Sequence, residues 1–537
     1  MDEAAHARIT IPQRIETVGV PADWTTTARW RLIPRDIVTR SVRYVHRTIA
    51  RGRARALSFG ALMLLLGASL QGFAAESQAV LVTYPEPPEV TYTHHNNDYV
   101  VKVRTPGGRW QNLFEYNVKV DLDKPQDASM VYFDFSKEVE VSVRKTNGEV
   151  RSVRIRPAVD GIRPEVKGNT VYFRLTQPRK LSIEFDGDRL HNLHLLANPL
   201  ESARPQPGDP DVIYFGPGVH QLPAPAVEPS QSGSSPVQQT GVLEIPSGKT
   251  VYVAGGAILR GKLLLDHVHD VKIMGRGILE QTENAIEVDH SSRVSVEGLI
   301  VIDPTHYTLQ CGESDHLEVR NLKTFSAVPW SDGIDMMSCS DVEISDVFLR
   351  TSDDCIAIYA HRWGFYGDSR HIRVSDSVLW ADIAHPMTIG IHGDSGNPDT
   401  IEDIEYHNID VLEHDERNPQ YQGSMAINAG DSNLVRNVTY SDIRIDDFQE
   451  GQLVNLRVVF NHKYNTSPGR GVENITFRNI LYRGDGASPS VIAGLDSQRR
   501  VRNVRFENLV VNGRRVRQPR DGNIEIGDFA DNVRFVR

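Results

Sequence analysis

Between residues 271 and 535 the chain returns ten times to one short pattern. An apolar residue, any residue and a second apolar residue are followed three positions on by another apolar one, often after Asn or Asp. The series runs Val271-Lys-Ile273, Val294-Ser-Val296, Leu317-Glu-Val319, Val342-Glu-Ile344 and Ile372-Arg-Val374. It continues through Ile404-Glu-Tyr406, Val438-Thr-Tyr440, Ile475-Thr-Phe477, Val504-Arg-Phe506 and Val533-Arg-Phe535. Successive starts lie 23 to 37 residues apart. Alternation within each motif predicts a strand with one face inward. Recurrence at a drifting period of roughly 20 to 40 residues predicts a solenoid. No segment has a helical period. These features predict a right-handed parallel β-helix over 211–537, its coils stacked at about 4.8 Å. The coils lengthen after residue 342, which places larger loops there, and loops on a rigid solenoid form its binding face.

Residues 79–204 read differently. Asp98–Arg104, Met130–Phe135, Val139–Arg144, Val150–Ile155 and Thr170–Leu175 are strand-like and separated by turn signals such as Asn147-Gly148. They predict a β-sandwich ahead of the solenoid, so the fold class is all-β. Ala224 to Gly241, rich in Pro, Ser, Gln and Gly, is expected as an exposed loop. Residues 1–55 form a polar extension, basic at its end through Arg51, Arg53 and Arg55. An apolar run and then Gly72-Phe73-Ala74 follow, and residues 56–75 are expected as a signal peptide or anchor. That apolar core is shorter than the ~20 residues of a membrane span. A secreted or periplasmic location follows, with no membrane association beyond that segment.

A formal net charge of −11 over 537 residues gives no overall electrostatic case for nucleic acid and little for a polyanion. Three cysteines exclude a disulfide-stapled scaffold and a zinc-cluster protein. Cys311, Cys339 and Cys355 are expected as core residues stacked in the solenoid.

Chemistry concentrates on three neighbouring coils. Asp332 follows its motif start by 15 residues, Asp353 and Asp354 follow theirs by 11 and 12, and His385 follows its own by 13. These side chains are expected side by side on stacked strands. Carboxylates so close repel, so one is expected protonated near neutral pH. A protonated carboxyl beside ionised ones suits acid-catalysed glycoside cleavage with a base-activated water. The same oxygens suit Ca²⁺, a reading open at this point. Adjacent Asp353 and Asp354 would face opposite sides of a regular strand, so both reach one cleft only across a bend or bulge.

Ser331-Asp332-Gly333-Ile334-Asp335, Asp353-Asp354-Cys355-Ile356-Ala357-Ile358 and Ala384-His385-Pro386-Met387-Thr388-Ile389-Gly390 resemble the motif series of glycoside hydrolase family 28, the polygalacturonases, over roughly 250–510. The resemblance implies Asp353 as general acid, Asp332 and Asp354 as the pair activating water, His385 beside the acid, and inversion at the anomeric carbon. Inversion carries an expected carboxyl separation of about 6.5–9.5 Å. The family's Arg-Ile-Lys word, which grips the galacturonate carboxylate, aligns with Ala426-Ile427-Asn428. Without that Arg and Lys a uronate loses charge-assisted partners. Family 49, of dextranases and isopullulanases, shares the three-Asp core and an N-terminal sandwich, and Leu181–Asp188 and His191–Leu195 are similar to that domain.

The expected protein is therefore a monomeric, inverting glycoside hydrolase that needs no cofactor and no protein partner and acts on a polysaccharide or oligosaccharide, a neutral α-glucan ahead of pectin. Candidate sugar-binding residues are His385, His361, Trp363, His392, Asp394, Asn428 and Lys463. His361 is equally placed to anchor its loop, and Trp330 is expected in the core. The rivals are a polysaccharide lyase, which needs an acidic sugar and a strong base, and a glycan-binding solenoid without catalysis.

Overall fold

The computed structural model describes residues 79–158, 161–223 and 241–536. The expected extension 1–55, the signal or anchor 56–75 and most of the loop Ala224–Gly241 lie outside the described residues.

All ten motif starts pair directly across one sheet. Val271 is the Cα partner of Val294, and the column continues through Leu317, Val342, Ile372, Ile404, Val438, Ile475, Val504 and Val533. Every pairing is parallel, and the apolar members of each motif face a single buried core. A corner residue with left-handed backbone precedes each later motif, among them Asp403, Asn437, Asn474, Asn503 and Asn532. Asn and Asp tolerate that conformation where branched residues do not. Their side chains bond from coil to coil, with Asn474 Nδ2 donating to Asn437 Oδ1 at 3.0 Å and Asn503 Nδ2 to Asn474 Oδ1 at 3.0 Å. Inside, Tyr406, Tyr440, Phe477, Phe506 and Phe535 stack with centroids 4.8–5.1 Å apart.

A second parallel sheet runs down another side of the solenoid. It includes Leu309–Gly312, Ile334–Met337, Ile356–Tyr359, Met387–Gly390, Met425–Ala429 and Val454–Val458.

Ahead of the solenoid, two sheets share a second core. One contains Gln126–Phe135, Arg179–Phe185 and Leu193–Pro199, and the other Tyr99–Arg104, Val139–Lys145 and Thr170–Leu175. This is a β-sandwich. A third apolar cluster joins it to the solenoid, with Tyr116, Met130 and Tyr132 against Ile278, Ile300, Phe325 and Phe348. The buried Arg276 of the solenoid donates to Asp134 of the sandwich at 2.9 Å.

The cysteines are buried, as expected for core residues, but they are not three free thiols. Cys311 and Cys339 form a disulfide between consecutive coils, leaving Cys355 free. The strand of Cys311 stacks on Ile334–Met337, and Cys339 lies at the corner after that strand. Their pairing depends on that corner, which the motif spacing does not describe.

Candidate active site

The second sheet sets the position of the acids. Ile334 pairs with Ile356 and Ile356 with Met387. Asp332, Asp354 and His385, each two residues earlier, therefore occupy equivalent places on three consecutive coils. Backbone bonds hold this register: Gly333 N donates to Asp354 O and Cys355 N to His385 O, both at 2.8 Å. Asp353 sits one residue before that column, on the bend between Phe348–Thr351 and Ile356–Tyr359. The bend resolves the adjacency of the two acids, since no regular strand passes through them. Ser326 steadies both approaches, accepting from Ser352 N at 3.1 Å and donating to Ser331 O at 2.8 Å.

Asp332, Asp353 and Asp354 each offer a carboxyl oxygen within 4.8 Å of the others. Placement on one bend and on adjacent coils, whose rise is about 4.8 Å, brings their nearest oxygens together. Asp353 is partly exposed, whereas Asp332 and Asp354 are buried. Asp354 is covered from outside, not sunk in the solenoid core: its Oδ1 accepts from His385 N at 3.0 Å and meets His385 Nδ1 at 2.6 Å.

Burial, then the neighbouring Asp354 charge, push the Asp353 carboxyl up to about 7. Trp330 N donates to its Oδ2 at 3.2 Å. Asp332 is raised well above the carboxylate range by burial, then by Asp335, Asp353 and Asp354. Burial alone would lower His385, but the Asp354 carboxylate outweighs it and holds the imidazole up to about 9. His385 Nε2 meets Tyr421 O, and the two rings are in edge contact at 4.4 Å. The three oxygens are close enough together to hold a metal ion, but His385 Nδ1 already occupies Asp354 Oδ1 at 2.6 Å.

The other expected site residues divide. Trp363 is half exposed and stacks on Tyr307 with centroids 5.6 Å apart and planes 12° apart, a flat platform. His392 lies in edge contact with Tyr359 at 5.1 Å, and burial, then Arg362, lower it to about 3, so it is neutral. Asn428 points outward from its strand and is buried, with neither amide atom hydrogen-bonded; Arg457 is its partner on the next coil. Lys463 is exposed at a rim, its Nζ 4.5 Å from the Tyr464 ring, which stacks on Tyr421. His361 anchors its loop, with Nδ1 bonded to Phe365 O at 2.6 Å and its ring on Tyr366 at 4.1 Å. Asp394 closes a turn, Oδ1 accepting from Gly396 N at 2.8 Å. Trp330 is not a core residue: it is 68% exposed, turned out by a left-handed corner beside the acid.

Motif reasoning passed over Asp335 and Tyr421. Asp335 is fully buried beside Asp332, its oxygens without hydrogen-bond partners and one of them 3.9 Å from Arg362. Ile334 and Met336 point to the core, so alternation alone turns Asp335 to the acids' side. Arg362 lies over the rings of Tyr359 at 4.6 Å and Trp363 at 4.9 Å. Tyr421 lies in a loop that carries no periodic signal.

Residues 259–521 match the model of Glycosyl hydrolases family 28. A probable endo-xylogalacturonan hydrolase A of Aspergillus fumigatus is 24% identical over 39% of this chain and 54% of its own length. A polygalacturonase of Juniperus ashei is 24% identical over 39% of each chain. The chain thus spans about half or less of the curated relatives it matches. Among solved structures, Dex49A from Penicillium minioluteum superposes with a TM-score of 0.59 at 14% identity, covering 85% of this chain and 96% of that one. That likeness is one of fold.

Proposed function

We propose that the protein is a glycoside hydrolase that cleaves a polysaccharide by inversion. The observation that carries this reading is the trio of Asp332, Asp353 and Asp354, with oxygens within 4.8 Å and only Asp353 reaching solvent. Asp353, raised to about 7, is protonated at mildly acidic pH and donates to the leaving glycosidic oxygen. Asp332 and Asp354 hold the attacking water. Asp354 is held in place by His385, whose Nδ1 lies 2.6 Å from its Oδ1. Burial raises both Asp332 and Asp335, and Asp332 accepts from the water while Asp335 keeps its proton. Trp363 and Tyr307 offer a stacking face for a sugar ring.

For the substrate, a neutral α-glucan comes first. Ala426 and Asn428 face outward where the galacturonate clamp would align, and neither carries charge. Galacturonan is the second reading, favoured by Arg457 beside Asn428 and by the names of the curated relatives. Export through residues 56–75 would place the enzyme where such polymers occur. Incubation with dextran, pullulan, polygalacturonate and arabinan tests all of this, with new reducing ends measured and the first-formed anomer read by NMR. Reducing ends from an α-glucan with the inverted anomer are expected. Cleavage of polygalacturonate alone would transfer the substrate to the second reading, and a retained anomer would overturn inversion.

A further inference from the structure

Away from the acids, one corner of the solenoid gathers a different set of groups. Asp266, Asp289 and Gly312 are register partners on consecutive coils. The residues that follow them, His267, His290 and Glu313, all adopt left-handed backbone and project from the same corner. The imidazoles of His267 and His290 stack with centroids 4.6 Å apart and planes 19° apart. Asp266 Oδ1 lies 2.6 Å from His267 Nδ1 and 3.5 Å from His290 Nδ1. One donor atom from each of Asp266, His267 and His290 lies within 4.8 Å of the others.

The second nitrogen of His290 decides what this corner suits. Nε2 meets Glu313 Oε2 at 3.0 Å, which leaves Nδ1 as the nitrogen turned toward the Asp266 oxygen. An imidazole that donates through one nitrogen to a carboxylate and turns the other toward its ligand is the usual arrangement of a metal-bound histidine. Glu313 is itself fixed, since its Oε1 accepts from Tyr366 N at 2.5 Å. The His290 ring also meets Phe365 at 5.5 Å. Asp289 does not compete, because its carboxylate accepts from Gln310 Nε2 at 3.0 Å.

We propose that Asp266, His267 and His290 bind a divalent transition-metal ion, such as Zn²⁺, that pins the 361–366 loop through Glu313. Two imidazoles and a carboxylate are ligands of that class, and a water completes a four-coordinate shell. The loop carries Arg362 and Trp363, so the ion would stiffen one wall of the sugar site without touching the reacting bond.

Calorimetric titration of zinc chloride into the untagged, chelator-treated full chain tests the site. One Zn²⁺ per chain is expected, with affinity unchanged in Asp353→Asn. Affinity should fall at least ~10-fold in His267→Gln and in His290→Gln, and about tenfold in Glu313→Gln, which releases the imidazole. Hydrogen exchange across 361–366 should slow on adding Zn²⁺ to the wild type. Circular dichroism establishes that the variants are folded, and the Gln substitutions keep side-chain bulk at an exposed corner. No binding by the wild type, wild-type affinity in either His variant, or loss of binding in Asp353→Asn would overturn the site. Unchanged exchange in the loop would overturn the pinning.

Discussion

Asp353, Asp354 and Asp332 have the same side chain and differ in what surrounds it. Asp354 is matched by a charged His385, Asp332 shares its burial with Asp335, and Asp353 stands partly in solvent with its carboxyl at about 7. A general acid must be protonated, so kcat/KM is expected to fall as pH rises through about 7, in a pH–rate profile. Stability follows the same sign. A carboxyl whose folded pKa is raised stabilises fully below its unfolded value, near ~3.9, and loses that contribution as pH rises through the folded value. Asp353→Asn should therefore melt higher than the wild type at pH 8, with the two converging near pH 4, by calorimetry. The motif words made these three acids and His385 legible before any geometry. They did not reveal Asp335, whose role depends on the strand turning it toward Asp332, nor the exposure of Trp330, which depends on a left-handed corner.

At the scale of elements, the repeated strand was the most legible feature, because one inward apolar pair per coil must recur wherever coils stack. All ten motif starts are register partners. The corners were less legible, since an Asn there looks like any surface Asn until its backbone angle and its neighbour on the next coil are known. Asn474 has φ of 60° and bonds to Asn437 and Asn503. Asn474→Val should cost about 1–2 kcal/mol through the left-handed backbone alone. Asn474→Gly, which keeps that backbone but loses the ladder, should cost less. Thermal unfolding distinguishes them, and sugar cleavage by either folded variant should be unchanged because the ladder lies outside the active site. The Cys311–Cys339 bond belongs to this scale too: it joins consecutive coils across a corner and is invisible to strand spacing.

The whole molecule couples its two parts directly behind the active site. Leu122 N in the sandwich donates to Ser352 Oγ at 3.0 Å, immediately before Asp353. Asp121 N donates to Asp382 at 3.2 Å, and Arg350 holds that same carboxylate through two nitrogens at 2.8 and 3.0 Å. The strand content of the sandwich was readable from alternation, but its braces onto the solenoid were not, because they join residues more than a hundred positions apart. If the two parts unfold together, breaking one buried ion pair between them weakens both. Asp134→Ala leaves the buried Arg276 uncompensated and should lower global stability by about 3–5 kcal/mol in a single denaturant transition. Two separate transitions would show that the parts are independent.

The central claim is that Asp353 supplies the proton for glycosidic cleavage. Its most direct test is release of reducing ends by the wild type and Asp353→Asn, on the best polymer of the panel, at a pH below 7. The account predicts a fall of roughly 10²–10⁴-fold in turnover, with circular dichroism unchanged. A folded Asp353→Asn variant that keeps wild-type turnover would contradict it.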